Sequence, residues 1–336
     1  MRIGILTSGG DCPGINATIR GVCKTAICNY GMEVVGIHGG FKGLIELDFE
    51  LMDERSLTGL LTMGGTILGT SREKPYSKKH AIPGVDKPAL LKANVEKLGL
   101  DAVVCIGGNG TQKTAGKMAN AGIPVIGIPK TIDNDVAGTD ICFGFQTAVS
   151  IATEAIDRLH STASAHRRVM VIEVMGHKAG WIALYSGMAA GGDVILIPER
   201  EYSMEKICQA IMNRMHRGKN YAIVVVAEGI STPRPNHAGE YIASAIADMT
   251  GIETRETILG YTQRGGSPCP FDRILSTRMG SHAVKLIADK QFGRMVAVRG
   301  DSITSVSLSE VAGSTRLLPV DHELILQGQR MGICFG

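Results

Sequence analysis

The chain has 336 residues, with 35 Lys and Arg against 32 Asp and Glu, a formal charge of +3, and aromatics at only 4%. A near-balanced charge and so few rings exclude a nucleic-acid backbone or a base-stacking platform as the main partner. The length suits two modest domains or one large one, and no apolar run reaches the ~20 residues that a membrane span needs.

The amino end enters a strand at Arg2-Ile3-Gly4-Ile5-Leu6 and not a secretory signal, so a cytoplasmic protein with no membrane partner is expected. Short β-branched runs predict strands over 3–7, 34–38, 102–106, 125–128, 169–174, 194–197, 222–227, 256–259 and 295–298. Between them, helical patterns cover 16–29, 88–98, 112–121, 145–162, 178–190, 204–217, 237–249 and 271–290. This βαβ alternation predicts an α/β fold of two lobes, each a mostly parallel sheet covered by helices, with the active site in the cleft between them. The expected division is 1–138 plus about 258–310 for one lobe, 139–257 for the other, and 311–336 as a segment returning across both. Glycine is high, 43 residues without a G-x-y period, which marks tight strand-to-helix turns. The eight cysteines contain no CxxC pair, so reduced, mostly buried thiols are expected.

Two segments follow adjacent buried strands and carry the chemistry. Gly107-Gly108-Asn109-Gly110-Thr111 brings glycines to a strand end, where backbone amides can approach phosphate oxygens without a Cβ in the way. Pro129-Lys130-Thr131-Ile132-Asp133-Asn134-Asp135 delivers two carboxylates two residues apart with a hydroxyl and an ammonium beside them. Such acids at a strand end more often cap a helix or turn, but directly after Lys130-Thr131 they make a poor cap and a good site: one carboxylate can accept an alcohol proton and the other can hold Mg²⁺. A phosphate cradle beside an acid cluster is what phosphoryl transfer requires. The Thr7–Asn16 loop after the first strand offers further glycines for phosphate. The glycine-rich run from Gly64 ends in Arg72, which could neutralise a transferring phosphoryl group or simply be solvated. Arg168, Met175-Gly176-His177, Glu228, Arg255, Tyr261 and Arg264 lie at or near later strand ends, and grouped arginines suit a sugar phosphate. Neither G-x-x-x-x-G-K-[ST] nor a strand-following G-x-G-x-x-G occurs, so a P-loop NTPase and a dinucleotide-dependent oxidoreductase lack their fingerprints.

In order and spacing, Thr7–Asn16, Gly107–Thr111, Pro129–Asp135, Glu173-Val174-Met175-Gly176, Leu259-Gly260-Tyr261-Thr262-Gln263-Arg264-Gly265-Gly266-Ser267-Pro268 and Pro270-Phe271-Asp272-Arg273 resemble the 6-phosphofructokinase family over roughly residues 1 to 300. The resemblance implies a glycolytic transfer of a phosphoryl group to the 1-hydroxyl of fructose 6-phosphate. It implies Asp133 as general base, Thr131 and Arg72 as groups that stabilise the phosphoryl in flight, and Asp135 with Asn109 at the Mg²⁺ position. The donor side would be Gly9, Arg72, Glu73, Gly108, Asn109, Gly110 and Thr111. The sugar-phosphate pocket would comprise Thr131, Ile132, Asp133, Arg168, Met175, Gly176, His177, Glu228, Arg255, Tyr261 and Arg264. In the family the positions of Arg168 and Arg255 serve a neighbouring subunit, which implies a homo-oligomer, dimer or tetramer, with shared pockets.

Three positions depart from the family pattern: Asn109 stands for a usual metal-linked aspartate, His177 for a usual arginine, and Tyr261 for a usual histidine. The donor markers also conflict. Gly110 leaves room for a nucleotide and is the ATP-type residue, whereas Lys130 is typical of pyrophosphate users. Steric exclusion discriminates better than a lysine, which accommodates either polyphosphate, so ATP is expected; pyrophosphate use, or a catalytically silent homologue, is the alternative. For an allosteric effector, Arg20, Lys24, Arg217 and Lys219 lie at comparable positions, while Glu54 and His160 stand where basic residues would be expected.

Overall fold

A computed structural model of the chain describes residues 1–233 and 237–336. The chain forms two compact units. The first comprises Met1–Thr131, Asp135–Gln146 and Arg264–Arg316; the second comprises Ile132–Asn134, Thr147–Gln263 and Leu317–Gly336. The central stretch of the second unit thus runs from Thr147 to Gln263, against the expected 139–257, and the carboxyl-terminal segment joins that unit from Leu317.

Taken in chain order, β1 (Arg2–Ser8) leads to α1 (Ile15–Lys24), which a π-helical turn extends through Asn29. Ile15, Ile19, Val22 and Cys23 recur at helical spacing and are buried. After β2 (Glu33–Ile37), α2 (Phe41–Glu46) and β3 (Phe49–Met52) come α3 (Lys87–Lys97), β4 (Ala102–Gly107), α4 (Asn109–Asn120) and β5 (Val125–Pro129). Next, α5 (Phe145–His166), β6 (Val169–Val174), α6 (Trp181–Ala189), β7 (Val194–Leu196), α7 (Met204–His216), β8 (Ala222–Ala227), α8 (Ala238–Thr250) and β9 (Thr254–Ile258) follow. Last are α9 (Pro270–Ala288), β10 (Arg294–Arg299), β11 (Ser302–Ser307), α10 (Leu308–Val311) and α11 (Glu323–Arg330).

The first unit holds a seven-stranded sheet in the order β11-β10-β5-β4-β1-β2-β3, parallel from β10 to β2 and closed at each edge by an antiparallel strand. The sequence pattern does not predict those two edge strands, for a physical reason. Phe49, Glu50 and Leu51 of β3 are exposed, and β11 reads Ser-Ile-Thr-Ser-Val-Ser, so neither presents the apolar run of a strand covered on both faces. The second unit holds a four-stranded parallel sheet in the order β7-β8-β6-β9, whose β6 and β8 are buried along their whole length. α11 and the segment after it join this unit, with Cys334 pairing to Val194 at the edge.

Two helix starts differ from the expected ones by more than one residue. α4 begins at Asn109, not 112, and so takes the glycine-bearing segment into its first turn. α6 begins at Trp181, not 178, and is preceded by a turn in which His177 stands in the left-handed region at φ 54° and Gly176 at φ 147°. All eight cysteines are free, five of them buried, whereas Cys28 is exposed and Cys269 and Cys334 are partly so. Among the described residues no helix is long and apolar enough to cross a membrane.

Candidate active site

In the first unit, three strand ends lie side by side, and the loops that leave β1, β4 and β5 are tied to one another. The Thr111 hydroxyl donates to the Ser8 carbonyl at 3.3 Å, which joins the β4 loop to the β1 loop. The Lys130 ammonium donates to the Gly10 carbonyl, which joins the β5 loop to the same turn. Arg264 reaches that turn as well, Nη1 donating to the Asp11 carbonyl at 3.2 Å. Gly9 stands at φ 87°, a conformation that a side chain would strain.

The second glycine-rich loop is fastened alongside. Thr7 Oγ1 donates to the Gly69 carbonyl at 2.5 Å, the Gly9 amide to Ser71 O at 3.0 Å, and Thr70 Oγ1 back to Gly9 O at 2.7 Å. Buried Asn16 holds the start of that loop, giving Nδ2 to Gly64 O at 3.0 Å and accepting from the Ile67 amide at 2.9 Å. Arg72 follows directly and is exposed. Glu73 beside it accepts from the buried Lys87 ammonium at 3.0 Å.

At the amino terminus of α4, Asn109 faces Asp135. Its Nδ2 donates to Asp135 Oδ2 at 3.0 Å and to the Asp135 carbonyl at 3.2 Å. Gly110, in the same turn, looks onto open space: an added Cβ would meet only Lys74 Cε, at 3.8 Å. Gly107 is the opposite case, since a Cβ there would come within 2.2 Å of Thr111 Oγ1. Burial pushes the Cys12 thiol up to about 12 despite the Lys130 and Arg264 charges nearby, so the thiol stays neutral and supplies no nucleophile.

In the second unit, Met175, Gly176 and His177 form a turn after β6 whose three consecutive amides are all held. Met175 N donates to Gln263 Oε1 at 2.8 Å; Gly176 N and His177 N donate to Glu228 Oε1 at 3.2 and 2.8 Å. Glu228 follows β8, and Tyr261, 74% exposed, follows β9, so these groups share the carboxyl edge of the sheet. Arg168 and Arg255 do not. Arg168 precedes β6 and Arg255 is the second residue of β9, at the amino edge, where both bind one carboxylate: Glu253 lies 2.9 Å from Arg168 Nε and 2.9 Å from Arg255 Nη2. Asp133, 8% exposed, belongs to the short piece of this unit that also contains Ile132 and Asn134, the last at φ 53°.

The family model for phosphofructokinase matches residues 2–287. The chain belongs to the phosphofructokinase family. It is 68% identical to the ATP-dependent 6-phosphofructokinase 3 of Bacteroides thetaiotaomicron over the whole of both chains. It is 44% identical to the pyrophosphate–fructose 6-phosphate 1-phosphotransferase of Streptomyces coelicolor, again over the whole of both. Among solved structures, the phosphofructokinase of Pichia pastoris superposes with a TM-score of 0.85 at 31% identity, covering 93% of this chain; the chain spans only 35% of that longer one.

Two buried phosphofructokinase residues carry no signal of their role in the sequence. Gln112 is 1% exposed, and its amide donates to Gly107 O at 2.8 Å and Ile128 O at 3.0 Å, bridging the ends of β4 and β5. Gln263, fully buried, holds the Met175 amide. Only its place in the Leu259–Pro268 motif points to it, since nothing in a lone glutamine announces a backbone clamp.

The donor set also bears on Mg²⁺. Asp135 and Asn109 offer hard oxygen ligands at a helix amino terminus, but no group of three or more His, Cys, Asp or Glu gathers among the described residues. One carboxylate with an amide fits an ion that completes its shell with water and substrate phosphates, and does not fit an all-protein cage.

Proposed function

We propose that this chain transfers the γ-phosphoryl group of ATP to the 1-hydroxyl of fructose 6-phosphate, giving fructose 1,6-bisphosphate and ADP. The observation that carries the reading is the array at the ends of β4 and β5: a glycine-bearing helix terminus, with a carboxylate in hydrogen-bond contact with its first residue. The 68% identity to an ATP-dependent 6-phosphofructokinase points the same way.

Asp133 takes the proton as the 1-hydroxyl oxygen bonds to the γ-phosphorus and the bond to the β-phosphate oxygen breaks. Thr131 and Arg72 neutralise charge on the phosphoryl in flight. Gly9, Glu73 and Gly108 to Thr111 hold the donor. Asn109 and Asp135 would hold Mg²⁺, which supplies charge neutralisation on the phosphate oxygens when bound. Ile132, Met175, Gly176, His177, Glu228, Tyr261 and Arg264 hold the sugar phosphate.

ATP is favoured over pyrophosphate by the open space at Gly110, which leaves room for the α-phosphate and nucleoside. The pyrophosphate reading rests on Lys130, but that ammonium is directed to the Gly10 carbonyl. Purified protein assayed with each donor at equal Mg²⁺ tests this: fructose 1,6-bisphosphate forms with ATP, and formation only with pyrophosphate overturns the choice.

The chain also acts as a homo-oligomer, dimer or tetramer, in this reading. Arg168 and Arg255 lie at the amino edge of a sheet whose carboxyl edge bears the Met175–His177 turn, and six residues of strand separate the edges by about 20 Å. The two arginines would therefore serve the pocket of a second copy.

A further inference from the structure

Gln112 lies outside every group assigned above to donor, sugar phosphate or metal, yet its amide reaches both strand ends that deliver them. Nε2 donates to the Gly107 carbonyl, one residue before the donor loop, and to the Ile128 carbonyl, two residues before Lys130. β4 and β5 stay in register as far as Gly107 opposite Pro129, the point at which both loops leave the sheet. The other edge of β5 is held over a shorter length: β10 pairs with it only at Ile126 and Gly127, and Pro129 has no amide hydrogen to give. Beyond that pairing the Lys130 amide bonds Gly107 O at 3.1 Å, and Gln112 adds a side-chain tie across the same two strand ends.

Gly127 makes room for it. An added Cβ at Gly127 would fall 2.1 Å from Gln112 Oε1, so the bare backbone of β5 and the amide of α4 are a matched pair. Both partners are buried, so the tie is not lost to competition from water.

We propose that Gln112, seated against Gly127, is a positioning residue that fixes the spacing between the donor loop at Gly108–Thr111 and the acid segment at Thr131–Asp135. The inference rests on the phosphotransferase reading. Acting on geometry and not on substrate contact, it bears on the transition state more than on ground-state binding, and a small misplacement of reacting groups can cost about 10²-fold in rate.

The test is a set of variants in the full-length enzyme, assayed at a temperature where each is folded by circular dichroism. Gln112→Met keeps the length and removes both hydrogen bonds. Gln112→Glu keeps the shape and, when protonated, can donate once. Gly127→Ala displaces the amide from the other side. The expected result is a kcat lowered by one to two orders of magnitude in Gln112→Met, with KM for fructose 6-phosphate within about twofold of wild type and partial recovery of kcat in Gln112→Glu. Gly127→Ala should show the same split, and combining it with Gln112→Met should add little, because both break one contact. Wild-type kcat in folded Gln112→Met overturns the proposal, as does additivity of the two changes. If Gln112→Met does not fold, Gly127→Ala and Gln112→Glu decide it: wild-type kcat in both overturns the proposal. Failure of the wild-type enzyme to make fructose 1,6-bisphosphate from either donor would instead overturn the underlying reading of function.

Discussion

Asn109 gives its side-chain amide to the Asp135 carboxylate at 3.0 Å, so an uncharged group stands beside that acid of the β5 loop. Replacing it with aspartate would put two carboxylates within hydrogen-bond distance, and like charges that close cannot both ionise without a cation. Asn109→Asp should therefore melt below wild type in chelator and recover when millimolar Mg²⁺ is added, while wild type responds less. Thermal unfolding with and without Mg²⁺ reads this directly; equal Mg²⁺ responses in the two proteins would count against Asn109 and Asp135 as the metal position.

Gly110 stands in a helix but faces no protein group closer than Lys74 Cε. An aspartate there should fold normally and fill the space assigned to the nucleotide, setting its charge against the α-phosphate. Like-charge juxtaposition costs several kcal/mol, so kcat/KM for ATP should fall by about 10²-fold or more in Gly110→Asp. Unchanged ATP turnover would dispose of the steric account of donor choice.

Asp133 is the assigned base, and Asp133→Asn keeps its shape while removing its capacity to accept a proton. A positioned base contributes about 10²–10⁴-fold. Turnover should fall by several hundred-fold or more, with fructose 6-phosphate affinity nearly kept by isothermal titration. Loss of binding with little loss of kcat would reassign Asp133 to the pocket.

Arg168 and Arg255 share Glu253 at the edge of the second sheet away from the Met175–His177 turn. If they complete a neighbour's pocket, two inactive proteins should rescue each other. Arg168→Ala and Asp133→Asn, each nearly silent alone, should regain turnover when unfolded and refolded together, since some mixed sites then combine an intact base with an intact arginine. No regain in a mixture shown to be oligomeric would place Arg168 outside any shared site.

A pH dependence of stability follows from Asp140. Partial burial raises its pKa, but the Gly300 amide at 2.9 Å and the Arg299 guanidinium at 2.7 Å outweigh this and hold it below the ordinary 3.8. Because the folded state binds this proton less tightly than the unfolded chain, the contribution is fully present above 3.8 and is lost as pH falls below it through the lowered value. The melting temperature of Asp140→Asn should thus trail wild type at neutral pH and converge with it in strong acid. The carboxylate is about half exposed, so the gap should be small and should shrink with salt. A gap that persists unchanged below that range would remove Asp140 as its source.

Much of this arrangement is legible in the chain because the signals are local. β6 and β8 are runs rich in Val and Ile, and their observed limits coincide with the expected 169–174 and 222–227. Gly107 to Thr111 and Pro129 to Asp135 announce themselves by residue type at strand ends. β3 and β11 are not legible, because an exposed edge strand needs no apolar run. The Lys130 ammonium and the Gln112 amide are opaque for another reason. What each does depends on a carbonyl that is distant in sequence or on a neighbouring strand, Gly10 in one case and Ile128 in the other.

By itself, the sequence determined the α/β class, the two loops that carry phosphate and acid chemistry, and the family, because apolar periodicity and contiguous motifs are written in neighbouring residues. Only the tertiary structure decided that Arg168 and Arg255 sit at the opposite edge from Met175 and Glu228, that Asn109 is turned to Asp135, and that Gln112 ties β4 to β5. Those are relations between strand ends, set by sheet order and register, and no stretch of chain encodes them alone.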